Sequence, residues 1–295
     1  APDGATVWAV SGHKDAVVAI DAQSLELIGT AATGSGPAHV VLSPDGSQVF
    51  VTNAGDDTLS AYQASGLKPQ AAVDLGEGPH GLRPTADGSM LVVANTTAGT
   101  VDVVDATTLT VTASISVGDS PVQVAVAPSG RYAYVSLAGD QAVAKIDLIE
   151  ERVVGTVDVP SAPVQLYLSA DGATLLSANQ GTEDEPGTTV SVIDPERMTS
   201  TAEIETGAGP HGIVIEPSGT LAWVTNLYED TVSVLDLRKN VAVATVPVGD
   251  MPNGVSYSSR RVTAGTPTTV EIEVPDYADG DEDGHEDQDE EEGHE

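Results

Sequence analysis

Four residues occur twice in the chain, Gly-Pro-His-Gly at Gly78–Gly81 and again at Gly209–Gly212. A histidine set between a proline and a glycine is aimed by a constrained backbone. Imidazole is also a common ligand for zinc, copper, iron and nickel, and a hydrogen-bonding group that titrates near neutral pH. Aligning these Gly-Pro steps with their equivalents gives Pro37, Pro79, Pro121, Pro163, Pro210 and Pro252, spaced by 42, 42, 42, 47 and 42 residues. The two residues that follow read Ala-His, His-Gly, Val-Gln, Val-Gln, His-Gly and Asn-Gly. His39, His80, Gln123, Gln165, His211 and Asn253 therefore recur within two residues of the repeated proline, in the loops that enter one central mouth.

The chemistry such a ring offers is coordination or polar binding. His39, His80 and His211 are candidate metal ligands, joined by His13, which falls in a loop expected on the same face. Gln123, Gln165 and Asn253 would complete the shell or hold a small ligand through their carboxamides. Zinc or copper is the expected divalent ion. His285 and His294 lie among dense carboxylates near the C-terminus, a composition suited to weak capture of divalent cations. A second reading stands beside this one: a polar residue after a Gly-Pro step satisfies backbone groups where a strand begins.

The elements that must position these residues follow from the period. Repeats of about 40 residues signal a propeller or a solenoid. Each unit holds a strand after the proline ("HGLRPT", "HGIVIE"), a Gly turn ("ADG", "PSG") and a second strand ("LVVAN", "AWVTN"). A polar loop, a third strand ("TVDVVD", "TVSVLD") and a fourth strand ("ASISVG", "ATVPVG") complete it. Four strands make one propeller blade, so the fold class is an all-β propeller. The first residues supply second, third and fourth strands without a first, and "PNGVSYSS" at Pro252–Ser259 supplies a first strand alone. Pairing them closes six blades and removes two sheet edges. Seven blades is the alternative, with "PTTVEIEVPD", Pro267–Asp276, in a reduced blade or as an added outer strand. The propeller is expected over residues 1–275 and a disordered acidic tail over 276–295.

Several recurring residues read as fold-making. Asn53, Asn95, Asn179 and Asn226 end second strands and suit loop geometry. Asp21, Asp105, Asp147, Asp194 and Asp236 end third strands, where a carboxylate caps the following turn. Phe50, Tyr134 and Trp223 share one phase and are expected to pack. The 47-residue unit carries its extra length in Asn179–Thr189, which adds Glu183, Asp184 and Glu185 on the histidine face.

On "VFVTNAGDDTLSAY", Val49–Tyr62, and most fully on "AWVTNLYEDTVSVLD", Ala222–Asp236, the chain resembles the YVTN-repeat β-propeller family. The resemblance covers about residues 5 to 258. It implies the propeller fold and an extracytoplasmic or surface-layer-type setting, and it implies binding and scaffold roles more than one class of enzyme.

Composition narrows the classes further. No cysteine is present, which excludes disulfides, thiolate metal sites, a cysteine nucleophile and haem attached through C-x-x-C-H. The net charge is −34, and 12 of the 45 acidic residues fall in 276–295, so the rest of the chain is acidic as well. Such a surface repels nucleic acid phosphates and favours cations and basic partners. High-salt or acidic surroundings would explain it equally. No run approaches the roughly 18 apolar residues of a membrane span. The opening "APDGATVWAV" reads as a processed end, and a periplasmic, secreted or cell-surface location is expected. The expected function is a monomeric binding protein holding a metal ion or small ligand at the histidine mouth. The alternatives are a protein-interaction scaffold using the same face, and a lactonase-like or redox enzyme, for which no nucleophile–base pair or phosphate loop is visible.

Overall fold

A computed structural model describes residues 1–263 and contains only β-strands as regular elements. Their pattern follows from the alternation of Val, Ala, Leu and Thr, which buries one or both faces of short strands between tight turns.

The strands group into six blades. The first runs β4 (Pro37–Leu42), β5 (Gln48–Asn53), β6 (Thr58–Gln63) and β7 (Lys68–Asp74), and the second β8 (Pro79–Pro84), β9 (Met90–Asn95), β10 (Thr100–Asp105) and β11 (Thr110–Ser116). The third is β12 (Pro121–Val126), β13 (Tyr132–Leu137), β14 (Ala142–Asp147) and β15 (Arg152–Asp158), and the fourth β16 (Pro163–Leu168), β17 (Leu175–Gly181), β18 (Pro186–Asp194) and β19 (Thr199–Glu205). The fifth holds β20 (Pro210–Ile215), β21 (Leu221–Asn226), β22 (Thr231–Asp236) and β23 (Val241–Pro247). The N-terminal residues form the sixth from β1 (Thr6–Ser11), β2 (Ala16–Asp21) and β3 (Leu27–Ala32). Every pairing is between chain neighbours and antiparallel.

The core lies between blades. Val92, Ala94, Val101 and Ile115 of the second blade pack on Val124, Val135, Ala144 and Ile146 of the third, and the same positions repeat at the neighbouring interfaces. Phe50 and Tyr134 are buried there as expected, and the Tyr134 hydroxyl donates to Pro195 O at 3.2 Å.

The repeated polar residues hold the blades from within. Asn53 Nδ2 donates to the hydroxyls of Thr58 and Ser60, both at 2.9 Å, and Asn226 Nδ2 to those of Thr231 and Ser233. The asparagines thus clamp second strand to third across the loop. Asp105 accepts the backbone N–H groups of Thr107 and Thr108, and Asp236 those of Arg238 and Lys239, so the turn-capping expectation holds at these positions. The longer repeat extends the β17–β18 hairpin, and Gln180 Nε2 at its end donates to the Tyr228 hydroxyl of the fifth blade at 2.7 Å.

The closure differs in one respect from the sequence expectation. The sixth blade is a three-stranded sheet, and residues 252–263 lie beside it without forming a strand ladder. Their first part is drawn to β20, where Asn253 O accepts from His211 Nδ1 at 2.6 Å. Their later part is tied to the N-terminal loop by Ser258 Oγ donating to Gly4 O and by the Arg260 guanidinium donating to Asp3 O. As a result the outward face of the fifth blade is only partly covered. Val246 and Val248 are 47% and 42% exposed, whereas Ile115 and Val117, their equivalents in the second blade, are 3% and 7% exposed. Trp223 meets Tyr257 across this seam, with ring centroids 5.6 Å apart. The segment Pro267–Asp276, the residues 276–295 and His285 and His294 lie outside the described residues.

Candidate functional site

The innermost strands β4, β8, β12, β16 and β20 pack side by side around the central axis. Each carries a register shift just after its proline, between Pro37 and His39, Pro79 and Leu82, Pro121 and Val124, Pro163 and Leu166, and Pro210 and Ile213. A bulge re-aims side chains that a regular ladder would send into the sheet faces. This is how residues one or two positions after the proline reach the channel.

The strands are then stitched to one another. His80 Nδ1 bonds Val122 O of the next blade at 3.2 Å, and His211 Nδ1 bonds Asn253 O at 2.6 Å, each partner 42 residues on. Gln123 Nε2 donates to Gln165 Oε1 at 3.2 Å, again 42 residues on. The Thr52 hydroxyl donates to His80 O at 2.6 Å, and that of Ser136 to Val164 O at 2.9 Å. Close approach is built in. A side chain at Gly81 would place a Cβ 2.3 Å from Gln123 Oε1 and 2.6 Å from Val122 O, so glycine is the residue that fits.

Carbonyl oxygens only accept, so the bonded Nδ1 of His80 and of His211 carries the proton, and Nε2 is the nitrogen left uncommitted. His39 and His80 meet edge to face, ring centroids 4.7 Å apart. Burial, reinforced by the positive fields of His80, Arg83 and His211, holds His39 well below the usual imidazole range. Burial also lowers His80 and His211, opposed in each by the carbonyl that its ring bonds. All three rings are therefore neutral at neutral pH in the absence of a ligand.

A cavity of about 1730 Å³ takes in both the channel and the open seam between the fifth and sixth blades. His39, His80, Gln165, His211 and Asn253 line it. Gln123 is fully buried and spends its amide on Gln165 and on the Val124 backbone, so it serves as a strut. His13 sits exposed in the turn between β1 and β2 and does not line the cavity. Among the described residues no group of three or more His, Cys, Asp or Glu side chains is placed to hold a metal ion, and no helix is long and apolar enough to cross a membrane.

Two lining residues were not singled out from the sequence, Arg83 and Tyr167. Arg83 donates through one guanidinium nitrogen to Leu82 O at 2.8 Å, and among the described residues it forms no ion pair. Burial lowers its pKa while the Tyr167 hydroxyl acts in the opposite sense. A signal was present in the repeat: where β8 has Arg83, the other innermost strands have Val41, Ala125, Tyr167 and Val214, so Arg83 is the one charged residue at that position.

Comparison with known proteins agrees with this architecture. A family model described as YNCE-like β-propeller matches residues 2–175. A solved chain of Kuenenia stuttgartiensis hydrazine synthase is similar at 22% identity and a TM-score of 0.77, with 86% of each chain covered. A functionally unknown protein from Desulfotomaculum acetoxidans is similar at 16% identity and a TM-score of 0.73, covering 86% of this chain and 85% of that one. At these identities the likeness is one of fold. No curated protein matches the chain significantly.

Proposed function

We propose, for a chain that belongs to the YNCE-like β-propeller family, that the central channel is a binding site for one small ligand. One scaffold hosts many unrelated activities, so the reading rests on the site and not on the fold. The observation that carries it is the convergence of His39, His80, His211 and Gln165 on one cavity of about 1730 Å³. A concave site with a few convergent polar groups is where small ligands bind. The uncommitted Nε2 atoms of His80 and His211 are available to an occupant, because Nδ1 of each is spent on a carbonyl.

A divalent transition metal, zinc or copper, is the second reading. What favours it is that a neutral imidazole whose other nitrogen is fixed by a carbonyl has the state a metal ligand needs. The acidic residues 276–295, with His285 and His294, would then gather cations. An extracytoplasmic setting comes with both readings as the implication of the YVTN resemblance.

The test is a thermal-shift comparison of the native chain and a His80→Ala/His211→Ala variant against zinc, copper, phosphate and citrate. At least one of them is expected to raise the melting temperature of the native chain by several degrees, and the variant to lose that response. Equal responses in the two proteins would reduce the ring to architecture.

A further inference from the structure

We propose that the channel ligand is a small anion, a carboxylate or an oxyanion such as phosphate, seated on the Arg83 guanidinium among the imidazoles of His39, His80 and His211. The inference rests on the channel being a binding site and names the class of its ligand.

The cations of the protein point to this residue by elimination. Arg131, Arg152, Arg197 and Lys239 are on the surface and paired with carboxylates. Lys14, Lys68, Arg238, Arg260 and Arg261 are exposed to water. Two cations among the described residues are sheltered, Lys145 and Arg83. Lys145 is satisfied, donating to Pro195 O at 2.9 Å with its ammonium 4.5 Å from the centre of the Tyr132 ring. Among the described residues Arg83 has one protein acceptor, Leu82 O, and no carboxylate. In a chain of net charge −34, a sheltered guanidinium that faces a cavity and is unpaired among the described residues is the exception.

Guanidinium carries five N–H donors in a planar fork that matches carboxylate and phosphate, often through two parallel bonds. A sheltered cation without a counter-ion is costly, and an anion removes that cost while displacing water from the cavity. The surface carboxylates do not decide the matter, since their fields are screened over about 8 Å at physiological ionic strength, while the channel is less screened.

The imidazoles add a pH dependence. Next to an anion, Nε2 of His80 or His211 gains by taking up a proton and donating it as a hydrogen bond, so binding opposes the burial that keeps the rings neutral. The other titratable groups on the cavity wall are Tyr167 from β16, Tyr257 beside the seam, Asp171, Glu216 and Asp250 from the turns at its ends, and Arg238. The Asp171 carboxylate is already engaged by Ser169 and Ala173, and that of Glu216 by Ser218 and Thr220.

Isothermal titration of the full chain with sodium phosphate and with sodium citrate, at fixed ionic strength and at about pH 6 and about pH 8, tests the inference. Binding of either anion is expected, tighter at the lower pH by up to roughly tenfold per pH unit for each proton taken up, with a heat that varies with the buffer. Which of the two binds assigns the ligand to oxyanions or to carboxylates. Arg83→Gln is expected to weaken it about 10- to 100-fold. Arg83→Lys keeps the charge and retains part of the affinity, while the exposed Lys68→Gln changes nothing. If Arg83→Gln does not fold, Arg83→Lys and the pH dependence of the native chain carry the test. No binding of either anion, or binding indifferent to Arg83, overturns the proposal. If zinc chloride binds instead and needs His80 and His211, the anion falls and the channel site stands; if no probe depends on channel residues, both fall.

Discussion

Thr52 is fully buried between two strands that carry channel histidines, and its replacement by valine gives a measurable consequence. Its hydroxyl donates to His80 O at 2.6 Å and accepts from His39 N at 3.2 Å, so one oxygen joins the first blade to the second. Valine is nearly isosteric and leaves both backbone groups without that partner. Each unpaired buried group costs about 1–3 kcal/mol, so the two together cost about 2–6 kcal/mol, and the added methyl returns about 0.8 kcal/mol, for a net loss of about 1–5 kcal/mol. At about 2–4 °C per kcal/mol for a domain of this size, the melting temperature should fall by about 2–20 °C. Thr52→Ser keeps the hydroxyl and loses one buried methyl, about 1 kcal/mol. Urea unfolding followed by tryptophan fluorescence orders the three proteins as native, serine, valine. A valine variant as stable as the serine variant would refute the reasoning, because the hydroxyl would then contribute no more than its neighbouring methyl.

Tyr257→Ala should lose about 0.5–1.5 kcal/mol of ring contact with Trp223, beyond the area lost, and shift the tryptophan emission to longer wavelength; an unchanged spectrum would mean that the seam is open without it. The carboxylates of Asp45 and Asp87 are held at about 2, chiefly by the hydroxyls of Ser43 and Thr85 and by turn amides. Their folded pKa lies below the unfolded one, so the stability they contribute is present above about pH 4 and is lost as the pH falls through about 2. Carboxylate NMR titration checks the two values, and an Asp45→Asn/Asp87→Asn variant should show a shallower loss of stability over that window.

Much of the fold was legible because it repeats. A 42-residue period with four apolar segments leaves few ways to bury them, and the Asn and Asp at the ends of the second and third strands act within one blade, where sequence distance is short. Asp105 capping Thr107 and Thr108 is local chemistry of that kind. The seam was less legible. "PNGVSYSS" has the pattern of an innermost strand, yet its position depends on competing attachments to β20 and to the N-terminal loop, which are remote in the chain.

The candidate site divides in the same way. The repeat placed His39, His80, Gln123, Gln165, His211 and Asn253 one or two residues after equivalent prolines, near the axis, because the segments that follow those prolines surround the same centre. It did not separate Gln123, consumed as a strut, from Gln165 on the cavity wall, nor did it exclude His13 from the ring. Those distinctions arise from contacts 42 residues apart, made only when neighbouring blades dock. Arg83 is the clearest case: the sequence by itself marks it as an odd charge in an apolar strand. That no carboxylate of the described residues comes to meet it is a property of the assembled ring, since an ion pair depends on distance and shelter from water, which only the tertiary structure decides.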